Sequence, residues 1–215
     1  MTSLTDTEFI VHTIAQTVVD NEKYFGDLDS VVGDGDFGFS LARGFEIVLH
    51  DWDEFDRSTV ATFLQKVGVT ITSRIGGTSG PIWGTAFLRA AAIAKARGDD
   101  LGGADLVAML RSAIEGIMAR GNASLGDKTL LDALAPMTDA IEVGVTNGDD
   151  GASIVAAAAS SARTAAEATS TLIAKRGRAS YTGERSIGSP DAGAIAVAVL
   201  AEALAAQWPS KNNSN

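Results

Sequence analysis

Apolar residues recur at helical spacing along nearly the whole chain, and no run alternates with the two-residue period of a half-buried strand. The first periodic stretch reaches to about Tyr24 and opens on Thr5-Asp6-Thr7-Glu8, the pattern of a capping box. Further helices are predicted over residues 38–50, 58–74, 81–95 and 104–120, the last with Gly121 as its terminator. Two more cover 129–145 and 152–175, the second closed by Gly177. The final helix starts near Ser189-Pro190, a capping residue followed by proline at the first helical position, and ends near Trp208. The Ala-rich stretch VAAAASSARTAAEA reads as a packed helix, because alanine is the best helix former and lets neighbours approach closely. The expectation is one domain over residues 1–209, all-α, with eight amphipathic helices, and a disordered tail over 210–215.

The connections fall into two kinds. Those after the second, fourth and sixth helices, HDWDEFDR, RGDDLGG and TNGDDG, are plain acidic turns. Those after the first, third, fifth and seventh are GDLDSVVGDGDFG, IGGTSGP, GNASLGDK and GRASYTGERSIGSPDAG. In an up-and-down antiparallel bundle alternate loops share an end, so all four unusual loops are predicted to meet at one rim.

Composition narrows the chemistry that rim can carry. The 215 residues include no cysteine and only two histidines, which excludes disulfides and Cys-ligated zinc and leaves oxygen ligands for any metal. A net charge of −10 argues against nucleic acid as a partner. The N-terminus has no signal-peptide pattern, and AIAVAVLAEALA is too short, with Glu202 in it, for a membrane span. The expected address is the cytoplasm.

GDGDFG, residues 33–38, matches the letters G-x-G-x-x-G of a dinucleotide-binding turn. That turn needs a βαβ setting, which is absent, and Asp34 and Asp36 would repel a pyrophosphate. An EF-hand counted from Asp34 puts Phe45 where a bidentate Glu is required, and no Walker A pattern occurs. Asp29, Asp34 and Asp36 instead suit a hard cation, with Mg²⁺ bridging the carboxylates to phosphate oxygens; an exposed Asp/Gly turn is the bland alternative. The other three loops favour an anionic ligand. GGTSGP offers backbone N–H groups, the hydroxyls of Thr78 and Ser79, and a helix N-terminus. GDKT offers Lys128 and Thr129, and the longest loop offers Arg178 and Arg185.

The runs LDSVVGDGDFGFSLARGF, GGTSGPIWGTAF, GDKTLLDAL and GRASYTGERSIGSPDAGA, in that order, resemble the DhaL family of nucleotide-binding subunits or domains of dihydroxyacetone kinases. The resemblance implies a closed barrel of eight antiparallel amphipathic helices with the nucleotide site at one rim. It implies that Asp29, Asp34 and Asp36 hold two Mg²⁺ ions and act as the catalytic residues. Phe37, Gly38, Phe39 and Ser40 then wrap the phosphates, with Thr78 and Ser79 forming a second phosphate loop. Gly121, Leu130, Arg178, Asp191, Ala192 and Gly193 fall where the family encloses the nucleotide. Phe37, Ser40, Ser189 and Ala192 replace the His, Asn, His and Pro that many members carry, which leaves the phosphoryl donor open. One version uses ATP as an exchanging substrate; the other keeps ADP as a cofactor rephosphorylated by an M-type protein of the phosphotransferase system. Either implies a separate sugar-binding K-type subunit and a short-chain ketose, dihydroxyacetone or a tetrulose. A non-catalytic regulatory subunit acting on a transcription factor is the rival reading, and a homodimer is left open.

Overall fold

The computed structural model describes residues 3–98 and 100–212. Ser3 starts the first helix, α1 (Leu4–Asp20): its hydroxyl accepts from the Asp6 N–H at 3.1 Å while the Asp6 carboxylate accepts from the Ser3 N–H at 3.0 Å. The capping box therefore sits two positions ahead of the expected Thr5–Glu8 pair, because Glu8 is engaged with Arg57 instead. The first predicted helix also breaks. Asn21 closes α1, its side-chain amide donating to the Thr17 carbonyl at 2.8 Å, and a short α2 (Glu22–Asp29) follows.

The remaining helices are α3 (Phe37–His50), α4 (Val60–Arg74), α5 (Ser79–Arg97), α6 (Gly103–Gly121), α7 (Leu131–Asn147), α8 (Gly151–Ala168) and α9 (Ala192–Asn212). Among the described residues these are the expected eight long helices plus α2, and there is no strand. α5 starts two residues before Pro81, which its first turn tolerates because that N–H needs no partner there. Asn122, not Gly121, takes the left-handed conformation that ends α6 (φ 47°). α9 covers part of the expected tail, and 213–215 lie outside the described residues.

α8 ends at Ala168, well short of the predicted Lys175. Three consecutive hydroxyls stop it: those of Thr169, Ser170 and Thr171 fold back onto the carbonyls of Ala166, Glu167 and Ala168 at 2.5, 2.7 and 2.9 Å. The chain then crosses the rim as a strap over residues 172–191 before α9.

Each long helix packs on the next in the chain, and α9 returns to pack on α1, which closes the ring. The interior is one continuous apolar cluster, with Val11, Phe45, Phe63, Ile71, Ile117, Leu131 and Ile195 almost wholly buried. A satellite of Val107, Ile141 and Ala158 joins α6, α7 and α8. Along the α8–α9 seam the buried residues are alanines, including Ala162, Ala166, Ala194 and Ala198. Among the described residues no helix is long and apolar enough to cross a membrane.

Candidate functional site

The acidic loop between α2 and α3 is shaped by its own backbone. Asp29, the last residue of α2, accepts from the Gly35 N–H at 2.9 Å and more weakly from the Phe37 N–H at 3.4 Å. The loop turns so tightly that a Cβ on Gly33 would lie 2.3 Å from an Asp29 carboxylate oxygen. α3 then leaves hard against α2: a Cβ on Gly38 would lie 1.9 Å from the Glu22 carbonyl oxygen. Two glycines thus let the chain reverse within a few residues of Asp29.

This reversal gathers three carboxylates. One oxygen from each of Asp29, Asp34 and Asp36 lies within 4.8 Å of the others. Asp29 is half-buried, and Asp34 and Asp36 are exposed. Like charges this close need a cation, and here the guanidinium of Arg178 supplies it. It pairs with Asp34 and stands 3.7 Å from Asp36. The donor set is all carboxylate oxygen, on a loop whose backbone holds one member in place, and it fits a hard divalent cation such as Mg²⁺.

Phe37 to Ser40 form the first turn of α3. The Phe37 ring turns inward to Phe25 at 6.2 Å, so this segment can offer a phosphate its backbone but not the Phe37 side chain. Phe39 is exposed with the Arg43 guanidinium over its ring at 4.8 Å, and the Ser40 N–H is committed to the Asp36 carbonyl at 2.8 Å. Thr78, which is exposed, caps the start of α5 without a side-chain hydrogen bond, so the first turn of α5 has no side-chain acceptor of its own at the cap. Gly121 lies beside Ile82 of α5, where a Cβ would come within 3.2 Å.

The other two loops lock together. Leu130 precedes α7, and its Cβ packs against Gly193. Asp191 caps α9 in place of Ser189, accepting from the Ala194 N–H at 2.7 Å, while its own N–H donates to the Thr169 hydroxyl at 2.8 Å. Ala192 is the first residue of α9. Enclosure pushes the Asp191 carboxyl up to about 7, against the opposing pull of the Ala194 N–H and the nearby Lys128 ammonium.

Lys128 corrects the sequence reading. It is no phosphate-facing cation: it is 2% exposed, in a left-handed conformation (φ 63°), and its ammonium donates to the carbonyls of Leu172, Ser186 and Ser189 at 3.1, 2.5 and 2.7 Å. Burial lowers its pKa. Beside it Asp127, also buried, is held below its ordinary pKa first by the Ser124 N–H, and meets Lys175 and Arg176 at 3.4 and 3.1 Å. Arg185 is exposed and donates to the Thr182 carbonyl at 3.5 Å. Of the four unusual loops, three are thus joined by direct contacts, and the fourth adjoins them through Ile82 and Gly121.

Fold and rim together define an all-helical barrel with three converging carboxylates at one end. Residues 31–206 match the model of the DAK2 domain, and the chain belongs to that family, the DhaL family. It is 37% identical over 183 residues to the ADP-binding subunit DhaL of the PEP-dependent dihydroxyacetone kinase of Escherichia coli, covering 85% of this chain and 87% of that one. It is 38% identical to the L-erythrulose 1-kinase of Mycolicibacterium smegmatis, covering 91% of this chain but 34% of that one. The crystal structure of the C. freundii dihydroxyacetone kinase with AMP-PNP and Mg²⁺ superposes with a TM-score of 0.76 at 25% identity, over 94% of this chain and 33% of that one.

Proposed function

We propose that this chain is the nucleotide-binding, phosphoryl-transferring subunit of a short-chain ketose kinase, working in the cytoplasm with a K-type subunit that holds the sugar. The observation that carries the reading is the convergence of Asp29, Asp34 and Asp36 to within 4.8 Å on a loop facing Arg178. Kinship to ADP-binding subunits of dihydroxyacetone kinase and to erythrulose kinases supports the substrate class.

Phosphoryl transfer asks the protein chiefly for positioning and charge neutralisation. Asp29, Asp34 and Asp36 would hold two Mg²⁺ ions, which supply positive charge to the nucleotide phosphates. Phe37 to Ser40 present the start of α3 to those phosphates, with Thr78 and Ser79 at the start of α5 on the other side. Arg178, the exposed cation at the triad, orients the phosphate chain. Gly121, Leu130, Asp191, Ala192 and Gly193 enclose the nucleoside end, where small side chains leave it room.

The donor is tested by native mass spectrometry of the purified protein, before and after dialysis against EDTA. ADP with two Mg²⁺ that co-purify and resist exchange with ATP assign a bound cofactor and an M-type phosphoryl donor. An empty protein that takes up Mg-ATP reversibly assigns ATP as a substrate. A protein that binds neither overturns the proposal.

A further inference from the structure

Lys128 stands out among the groups that this reading leaves without a task. A buried ammonium usually pairs with a carboxylate, since taking the charge out of water is costly. Here all three N–H bonds end on backbone carbonyls, and all three belong to the strap between α8 and α9. Leu172 lies at the strap's entry, and Ser186 and Ser189 at its exit. One side chain from the α6–α7 loop therefore draws both ends of the strap together. Between those ends run the short 3₁₀ turns of Arg178–Ser186, kinked at Gly183, with Arg178 reaching the carboxylate triad from their start.

Other ties close the strap at the same place. The Ala174 N–H donates to the Ser186 hydroxyl at 2.9 Å, and the Gly188 N–H to the Ser170 carbonyl at 2.8 Å. The Lys175 N–H reaches the Asp127 carbonyl, next to Lys128, at 3.0 Å. Arg178 itself is 62% exposed at its side chain, so the strap's backbone sets where the side chain starts and the Asp34 and Asp36 carboxylates, not packing, receive its guanidinium.

We propose that Lys128 is a positioning residue for phosphoryl transfer: it pins the strap so that Arg178 is delivered to the metal-nucleotide site. The proposal rests on the nucleotide reading above. It separates from a merely structural role because Lys128 and Arg178 must then act through one another.

The test is a double-mutant cycle read by calorimetric titration of Mg-ADP into wild-type protein, Arg178→Ala, Lys128→Met and the double variant. Losing a charge-assisted contact to phosphate should weaken binding about ten- to a hundredfold in Arg178→Ala. In the Lys128→Met background the same Arg178→Ala change should cost less than about threefold, because the guanidinium is already misplaced. Hydrogen exchange at the Ala174 and Gly188 amides should speed up in Lys128→Met while α4 stays protected. Where Lys128→Met fails to fold, Lys128→Gln, which keeps one donor amide, takes its place in the cycle. A full Arg178 effect in the Lys128 variant, or an unchanged strap, overturns the proposal alone. Wild-type protein that carries no co-purified ADP, or has been stripped of it, and then takes up no Mg-ADP overturns the nucleotide reading and this inference with it.

Discussion

At the scale of single residues, the acidic loop is a balance of crowded carboxylates against one arginine. The Arg178 pairs are exposed, and exposed ion pairs contribute only about 0–1 kcal/mol. Asp34→Asn and Asp36→Asn should therefore leave the metal-free protein within about 1 kcal/mol of wild type. Their effect belongs to the ligand. At a hundredfold excess over Kd, a bound ligand adds about 2.7 kcal/mol, several degrees in Tm for a chain of this size. Differential scanning fluorimetry should show that rise with Mg-ADP in wild type and lose it in either variant. An equal rise in both variants would remove the triad from the binding site. Gly38→Ala makes the opposite demand on the loop. Its Cβ would meet the Glu22 carbonyl at 1.9 Å, and backbone cannot step aside as a flexible side chain does. Destabilisation of about 2 kcal/mol or more, with and without ligand, is expected in urea titration.

At the scale of elements, the start of α9 links the rim to pH. The folded chain holds the Asp191 proton up to about pH 7, whereas an unfolded aspartate releases it near 3.8. The folded state thus binds more protons in between, so this residue's contribution to stability falls as pH rises through that window and levels off above it. Asp127, Asp150 and Glu202 have lowered pKa values, and their contributions fade only as pH falls through the carboxylate range. Metal-free wild type should lose thermal stability as pH rises between 5 and 7, and Asp191→Asn, which keeps a good capping residue, should lose that decline. A parallel decline in both proteins would place the cause elsewhere.

The elements also show where local reading succeeds. The spacing of Val60, Phe63, Leu64, Val67 and Ile71 announces α4, and every one of them is buried. The end of α8 was not legible, because the apolar Leu172, Ile173 and Ala174 carry the pattern past Ala168 and only the hydroxyls of Thr169 to Thr171 oppose it. The same limit hid α2, where Asn21 serves as both the end of one helix and the start of the next.

At the scale of the whole molecule, the barrel closes through its last helix. α9 packs on α8, α7 and α1, and Ala194, Ala196 and Ala198 are fully buried there. Alanine at these sites sets how near α8 and α1 can come, so Ala198→Leu should cost about 1–3 kcal/mol by overpacking. Val143→Ser, on an exposed face of α7, should stay within about 0.5 kcal/mol. Thermal melts of the two compare seam with surface. Equal losses would mean that closure does not depend on the alanine seam.

The sequence by itself determined the eight long helices, their order and the two kinds of loop, because periodicity, capping and turn chemistry act over a few residues. It also brought out the acidic loop, since Asp29, Asp34, Asp36 and their glycines lie within one turn of chain. Only the tertiary structure decided what Lys128 does, that the Asp191 N–H meets the Thr169 hydroxyl, and that Arg178 meets Asp34. Those partners are far apart in the chain, and the burial and carbonyl geometry that choose between a phosphate and a backbone for a lysine exist only once the ring of helices has closed.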